Sequence, residues 1–374
     1  MQCSILCEPN SIDSSKVKGK IVVCLRGINP RIEKGLVVQK AGGAGYILAN
    51  DFENKDSPLS DDLNFLPASQ ISYEDGQALF KFINTTKNPY AFITITRTYF
   101  GSKRAPVVAQ FSSIGPNSVD PEIIKPDIIA PGVSILAAYS EAATPSIYAN
   151  DTRRVKFNFL SGTSMATPHI SGIVGLLKTL HPDWSTAAIR SAIMTTAITT
   201  DNTKKPISKS SGETATPLDY GSGHVRPNKA ANPGLVYDLA EDDYLNFLCA
   251  KGYTEDKLKA IAKKSYKCPK SASRLNLNYP SIAVPKLKGS VNITREVKNV
   301  GKPGTYTVKV TAPAGVSVIV EPTSLKFDKA GEVKKFSASL NAVGKLSPDK
   351  YVFGSLVWSD GKHIVRSPIA VTGA

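Results

Sequence analysis

The sequence predicts three consecutive folding units: a small α/β module, an α/β unit built around two adjacent helices, and an antiparallel β-sandwich. Three observations carry this. The central stretch "FLSGTSMATPHISGIVGLLKTLHPDWSTAAIRSAIMTTA" repeats apolar residues at helical spacing. The last stretch, by contrast, alternates polar and apolar residues in short runs cut by Gly and Pro. The length of 374 residues suits two or three domains with buried cores. Hydrophobic residues at 41% and charged residues at 21% mark the chain as globular, not disordered.

Residues 1–98 form the first expected unit. "KGKIVVCLRG" contains a short apolar strand, and "RIEKGLVVQKAGGAGYILAN" reads as a helix, a glycine turn and a strand. Leu36, Val37 and Ala41 are spaced for one helix face, and Gly42 and Gly43 stop the helix. "AFITITRTYF" alternates and predicts another strand.

Residues 99–245 form the second. "APVVAQFSS" predicts a strand, and "KPDIIAPGVSILAAY" a strand broken by prolines. Ile170, Ile173, Val174, Leu177 and Leu180 then repeat on one helix, which ends at His181 before Pro182. Ser171, Gly172 and Gly175 leave its other faces small, so it can be enclosed closely. In the next helix Ser185 is the N-cap, and Ile189, Ala192, Ile193 and Thr196 line one face.

Residues 246–273 read as a linker and 274–374 as the sandwich, with "VNITREVKNV", "TYTVKVTA", "VSVIVEP" and "KKFSASLNA" among its strands. In "VWSDGKHIV" the Asp360-Gly361 pair predicts a two-residue type I′ hairpin.

Composition also excludes functions. No apolar run approaches the ~18 residues of a membrane span. The formal charge of +15 comes from lysines dispersed over the chain, which reads as a solvated surface capable of weak adhesion to an acidic polymer. No run interleaves aromatics with Arg, so nucleic acid is not an expected partner. None of the five cysteines forms a CxxC pair, which argues against zinc, and no carboxylate cluster has calcium-loop spacing. No metal or other cofactor is implied.

Cys7 and Cys24 bracket a short loop, as do Cys249 and Cys268. Each bridge, if closed, would stabilise by about 3 kcal/mol on the loop-entropy model. The alternative is that all five cysteines, Cys3 included, are thiols. Three N-x-[ST] sequons, at Asn84, Asn150 and Asn292, favour the oxidising, secretory reading. The start "MQCSILCEPN" has no basic stretch followed by an apolar core, so it is not a signal peptide.

"SGTSMATPH" carries the chemistry. Gly162 permits a tight backbone approach. Ser164 falls at or just inside the first helical turn, where free N–H groups and the positive end of the dipole gather. That placement suits a serine whose reaction generates an oxyanion beside it. Met165 and Ala166 fill the turn, and Pro168 lies within or just after it, where a missing donor costs least. The bland alternative is that Thr163 or Ser164 merely caps the helix.

The nonamer resembles the serine motif of the subtilisin-like proteases, G-T-S-x-A-x-P, residue for residue. The resemblance continues along the chain. "KVKGKIVVCLRG" and "AGGAGYILAN" look like the protease-associated (PA) domain inserted into plant subtilases of the cucumisin type. "FSSIGPN" resembles their F-S-S-R-G-P-N, with Ile114 replacing arginine. "KPDIIAPGVSILAA" and "DYGSGHVRPNKAANPGLVYD" match further runs. "LNYPSIAV", "VKNVG" and "VWSDGKHIVRSPIAV" match its fibronectin type III-like domain, with the last three of the family's runs lying there.

The resemblance implies an extracellular serine endopeptidase acting on protein or peptide substrates. Its implied fold is the C-terminal half of the catalytic domain, a parallel sheet with a buried helix. A PA domain, partial at its N-terminus, precedes that half and a fibronectin type III-like sandwich follows it. Ser164 is the implied nucleophile, and its N–H is part of the oxyanion hole.

The family's aspartate sits in D-[ST]-G, its histidine in H-G-[TS] and its oxyanion asparagine in G-N, all upstream of the PA insertion. None of these motifs occurs here, so the chain is expected to be a C-terminal piece, inactive by itself. His169, His181, His224 and His363 all lack a following glycine. His169, five residues after Ser164, would lie about 140° round the helix and over a turn along. Asp127 falls in a structural segment. An apolar face over 170–180 is expected to be partly exposed. Two alternatives remain: a non-catalytic interaction protein using the PA and fibronectin-like units, and a half that complements a separate N-terminal half. Self-association into a homo-oligomer is compatible with each.

Overall fold

The computed structural model describes residues 5–374 except 60, 61, 98, 99, 102, 103, 147, 149 and 150. Cys3 and the Asn150 sequon therefore lie outside the described residues. The chain folds into two compact units. One comprises Met1–Ser112, Pro131–Ala166 and Ser208–Glu213; the other comprises Ser113–Ala130, Thr167–Ile207 and Thr214–Ala374. The segment 99–245 is thus shared between them.

The first unit opens with helix α1 (Ser14–Val17), β1 (Ile21–Leu25), α2 (Arg31–Lys40), β2 (Gly45–Ala49), β3 (Ala68–Ile71) and α3 (Tyr73–Thr85). The three strands form a parallel sheet in chain order. Cys7 and Cys24 are joined in a disulfide that ties the N-terminal loop to β1.

Helix α2 lies as expected, but its buried face differs. Lys34, Gly35 and Val38 point inward, while Leu36 and Val37 are only half-buried. The reason is Gly35: a Cβ there would come within 2.8 Å of the Tyr46 ring, so the close helix–sheet approach turns this face inward. Lys34 is carried in with it. Its ammonium donates to the Leu6 carbonyl at 2.5 Å and to Asn29 Oδ1, and burial lowers its pKa.

The expected strand in "AFITITRTYF" does not form. Residues 91–97 take no regular secondary structure, and Phe92 and Ile95 are 73% and 78% exposed. Alternation creates a strand only where a sheet edge accepts its hydrogen bonds, and among the described residues no edge does so.

The chain continues through β4 (Val107–Val108), β5 (Ile135–Ala138), β6 (Phe157–Leu160), α4 (Thr163–Leu180), α5 (Thr186–Thr195) and β7 (Ser208–Lys209). Strand β4 is only a two-residue parallel pair with β7, and β5 pairs antiparallel with β6.

In the second unit, Ile173 and Leu177 of α4 pack with Trp184, Ile189, Ala192 and Ile193. Ser185 caps α5 by accepting from the Ala188 N–H at 2.9 Å. The rest of α4 is open: Leu180, at its end, and Leu176 are 62% and 64% exposed, and a Cβ added at Gly172 or Gly175 would meet nothing within 4 Å. This is the partial exposure that the sequence predicts.

Next come α6 (Pro217–Tyr220), α7 (Pro227–Ala230), β8 (Leu235–Val236), α8 (Glu241–Ala250) and α9 (Glu255–Ala262). A disulfide between Cys249 and Cys268 fastens α8 to the segment after α9. The strands that follow are β9 (Ile282–Leu287), β10 (Ser290–Asn299), β11 (Gly304–Thr311), β12 (Val316–Glu321), β13 (Ser324–Phe327), β14 (Val333–Ala342), β15 (Val352–Ser359) and β16 (Ile364–Gly373). They form two sheets, ordered β12-β14-β10-β8 and β13-β11-β15-β16-β9.

One pair departs from the antiparallel expectation, because β9 and β16 run parallel. A parallel pair needs a long crossover, and the intervening sandwich is that crossover. The hairpin at Asp360-Gly361 also differs. Ser359 pairs with Ile364, leaving a four-residue loop. The Asp360 carboxylate accepts from the Lys362 and His363 N–H groups, which stabilises the longer loop.

The sandwich core holds Trp358, Phe336 and Tyr237, with Phe336 and Trp358 in edge contact at 5.2 Å. Arg295 is buried beside it. Its guanidinium donates to the carbonyls of Leu275, Tyr279, Ser281 and Thr294. Burial lowers its pKa to about 10, so it remains charged at neutral pH. These bonds tie the turn at 275–281 to β10.

Arg295→Met leaves those carbonyls without their donor. It should destabilise the second unit by about 2–4 kcal/mol, read as a lower urea midpoint in tryptophan fluorescence. A second expectation concerns pH. Burial alone would raise the Asp360 carboxyl, but the Lys362 and His363 N–H groups and the His363 ring at 2.7 Å hold it at about 2. Its contribution is present above the ordinary carboxylate pKa of about 4 and is lost as pH falls towards 2. Acid titration of Asp360→Asn should lack that part of the stability loss.

Candidate active site

Strand β6 delivers the chain to the turn before α4, and local contacts within the first unit shape that turn. The Gly162 N–H donates to the Gly132 carbonyl at 2.7 Å, and Ser161 Oγ accepts from the Ser134 N–H at 2.8 Å. The Gly162 carbonyl accepts from the Met165 N–H at 3.0 Å, which starts the helix. Gly132 lies so close that a Cβ would sit 2.8 Å from the Gly162 oxygen and 3.3 Å from the Ala166 Cβ. Ser134 holds a φ of 52° to complete the approach. Neither Gly132 nor Ser134 was singled out from the sequence. The only local signal is a glycine after proline in "APGVS", since their contact with the helix start bridges distant segments.

Thr163 and Ser164 are the first two residues of an 18-residue helix, and both are exposed. An N–H at this position has no acceptor within the helix, and the helix dipole adds partial positive charge. The site can therefore donate to an oxygen that gains negative charge beside the Ser164 hydroxyl. Met165 and Ala166 are half-buried beneath it. Pro168 lies inside the helix, a little further along than the first turn. It cannot donate to the Ser164 carbonyl, four residues back, as an ordinary helical residue would.

The histidines divide between local and remote positions. His169 is on α4, about 140° round the axis from Ser164. The other three are held by contacts within the second unit. His181 stacks on Trp184 at 3.8 Å and its Nε2 meets the Ala231 carbonyl at 2.8 Å. His224 bridges Ile129 and Ile198 through its backbone, and burial lowers the pKa of its ring. Its flanking glycines are required, because a Cβ at Gly221 or Gly223 would lie 2.1 Å from the Pro126 oxygen or 2.4 Å from the Ile198 oxygen. His363 pairs with Asp360 in the sandwich loop.

Asp127 accepts from the Tyr279 hydroxyl at 2.5 Å and from Lys125 at 2.8 Å. Burial and this carboxylate raise the Tyr279 phenol above its ordinary value. Asp151 was also missed by sequence reasoning. It is buried and held below the usual carboxylate range by Arg153, whose guanidinium also donates to the Leu63 and Asn64 carbonyls. That brace steadies the approach to β6, and its partners lie too far off in sequence to be legible.

Comparison with known proteins identifies the family. A PA domain model matches residues 3–79, a subtilase family model matches 44–223 and a fibronectin type-III domain model matches 276–371. The subtilisin-like protease SBT5.4 of Arabidopsis thaliana is 53% identical over 98% of this chain and 47% of its own length. The chain belongs to the subtilase family. SBT5.3 and SBT1.7 of the same plant are 53% and 49% identical, each over 98% of this chain. The subtilase chain spans about half the length of the curated relatives it matches. Its domain order is PA, subtilase, then fibronectin type III.

The tight approach at the serine turn can be tested. Gly132→Ala should push Gly162 and Ala166 away, costing about 1–3 kcal/mol locally. Hydrogen exchange at the Gly162 and Met165 amides should accelerate at least tenfold, while exchange in β10 and β14 stays unchanged.

Proposed function

We propose that Ser164 is the nucleophile of a serine endopeptidase that cleaves protein or peptide substrates through an acyl-enzyme. The observation that carries this reading is the exposed Ser164 hydroxyl at the second residue of α4, where the Ser164 N–H has no acceptor within the helix. Its oxygen attacks the scissile carbonyl, and a histidine takes the proton. The carbonyl oxygen becomes an oxyanion facing the Ser164 N–H and an asparagine amide. Collapse expels the amine, which receives the proton from the histidine. Water then releases the acyl group by the same path.

The aspartate, histidine and asparagine of this scheme come from residues outside the chain, since D-[ST]-G, H-G-[TS] and the family's G-N are absent from it. The open face of α4 supports this, as does β5–β6, where Leu136 and Phe157 are 57% and 60% exposed. Both surfaces suit a segment that completes the catalytic domain. By itself the chain is a poor peptidase.

Extracellular residence is part of the proposal. Two disulfides and the exposed sequons at Asn84, in the last turn of α3, and Asn292, on β10, support it.

The test is reconstitution. A fluorophosphonate probe should not label Ser164 in the chain alone. Mixing or fusing the chain with a subtilase segment carrying D-[ST]-G and H-G-[TS] should produce peptidase activity. Ser164→Ala should then lower kcat by about 10⁶, the magnitude known for subtilisin itself. Activity surviving Ser164→Ala would overturn the nucleophile assignment, and labelling of Ser164 in the isolated chain would overturn its dependence on a completing segment.

A further inference from the structure

The second unit contains a cleft of about 960 Å³ that the chemistry of Ser164 does not use. Cations from three separate loops converge on it. Arg226 and Lys229 come from α7 and its N-cap, Lys302 from the turn after β10, and Lys362 from the loop between β15 and β16. The three lysines are exposed and Arg226 is half-buried. Among the described residues none of these four makes an ion pair. Asp360 is the carboxylate lining the cleft, and it is already engaged by the His363 ring and two loop amides. The cleft therefore carries uncompensated positive charge, and its concave wall concentrates that field.

The remaining walls narrow the ligand class. Ile198, Pro233, Val300 and Ile364 supply apolar surface between the cations, and the Asn228 and Asn232 amides supply both donors and acceptors. No Phe, Tyr or Trp lines the cleft, and the one ring that does, His363, is already held by Asp360 and stacked on Tyr306, so the cleft lacks a platform of free aromatic faces for nucleobases. An acidic glycan would satisfy the cations but leave the apolar walls without a partner. A peptide with both carboxylates and aliphatic side chains fits all three features: cations, apolar wall and amides that can bond a main chain.

We propose that this cleft is a docking site for an acidic, aliphatic peptide segment. Its role is to recruit substrates bearing such a segment at a distance from the scissile bond. That the segment belongs to a substrate rests on the peptidase reading of Ser164; binding to the cleft does not.

The experiment is fluorescence anisotropy with the full chain and a fluorescein-labelled peptide alternating glutamate and valine. Binding should weaken at least tenfold when each glutamate is replaced by glutamine. It should weaken similarly in Lys302→Glu/Lys362→Glu, and in Lys229→Glu/Lys302→Glu as a second variant. Both variants change exposed side chains, so their thermal melts should match the parent. Raising salt from about 50 to 200 mM should reduce affinity, because exposed charges are screened within about a Debye length. Equal binding of the glutamine peptide, or no effect of both reversals, overturns the proposal. So does displacement by polygalacturonate or duplex DNA at a lower concentration of charge than the peptide itself, which would assign the cleft to another ligand class. The readout needs no catalysis, so a negative result leaves the Ser164 assignment standing and a positive one survives its failure.

Discussion

The one-sided packing of α4 is the constraint on which the rest of the structure turns. Ile173 and Leu177 anchor the helix on α5 and Trp184, so its direction is set by a few apolar contacts at its C-terminal end. Ser164 sits at the other end, in the other unit, where the turn before the helix is held by its own local contacts. The helix therefore links two different physical tasks. One end is held by dispersion and apolar burial, and the other exposes Ser164 in the first turn, where the helix dipole is positive.

Backbone proximity is the second recurring device. Gly132 against Gly162, Gly35 against Tyr46, and Gly221 and Gly223 against their neighbouring carbonyls all bring chain segments closer than any side chain would allow. Each approach sets up something nearby. Gly132 shapes the serine turn, Gly35 chooses which face of α2 is buried, and the 221–223 turn sets the path into His224. The consequence at α2 is chemical as well as geometric, because the same rotation that admits Tyr46 carries Lys34 into the interior. There it is held by carbonyl and amide oxygens.

Charge follows a comparable logic in the sandwich unit. Arg295 is buried and spends its donors on backbone carbonyls, whereas Lys302 and Lys362 stand exposed on loops and make no ion pair among the described residues. The first is structural: it ties a turn to a strand, and its charge is offset by aligned carbonyl dipoles. The others leave a field in a concave surface. Residue type alone does not distinguish these roles; the loop or strand that carries the cation does.

Much was legible in the sequence because it depends on short-range pattern. The helix over α4, the Ser185 cap, the alternating strands of the sandwich and the placement of Ser164 at a helix start all follow from periodicity and capping chemistry within one or two turns. The cysteine pairs were legible as brackets, and the family from a motif matched residue for residue. Tertiary structure decided what those rules do not reach. Residues 91–97 alternate like a strand but lack an edge to join, Asp360 turns a two-residue hairpin into a four-residue loop, and β9 runs parallel to β16. The brace of Asp151 and Arg153, the approach of Gly132 and the convergence of Arg226, Lys302 and Lys362 on one cleft each join segments far apart in the chain. Local sequence sets which conformations a segment prefers, whereas pairing, close approach and the summed field of charges depend on partners that only the folded chain brings together.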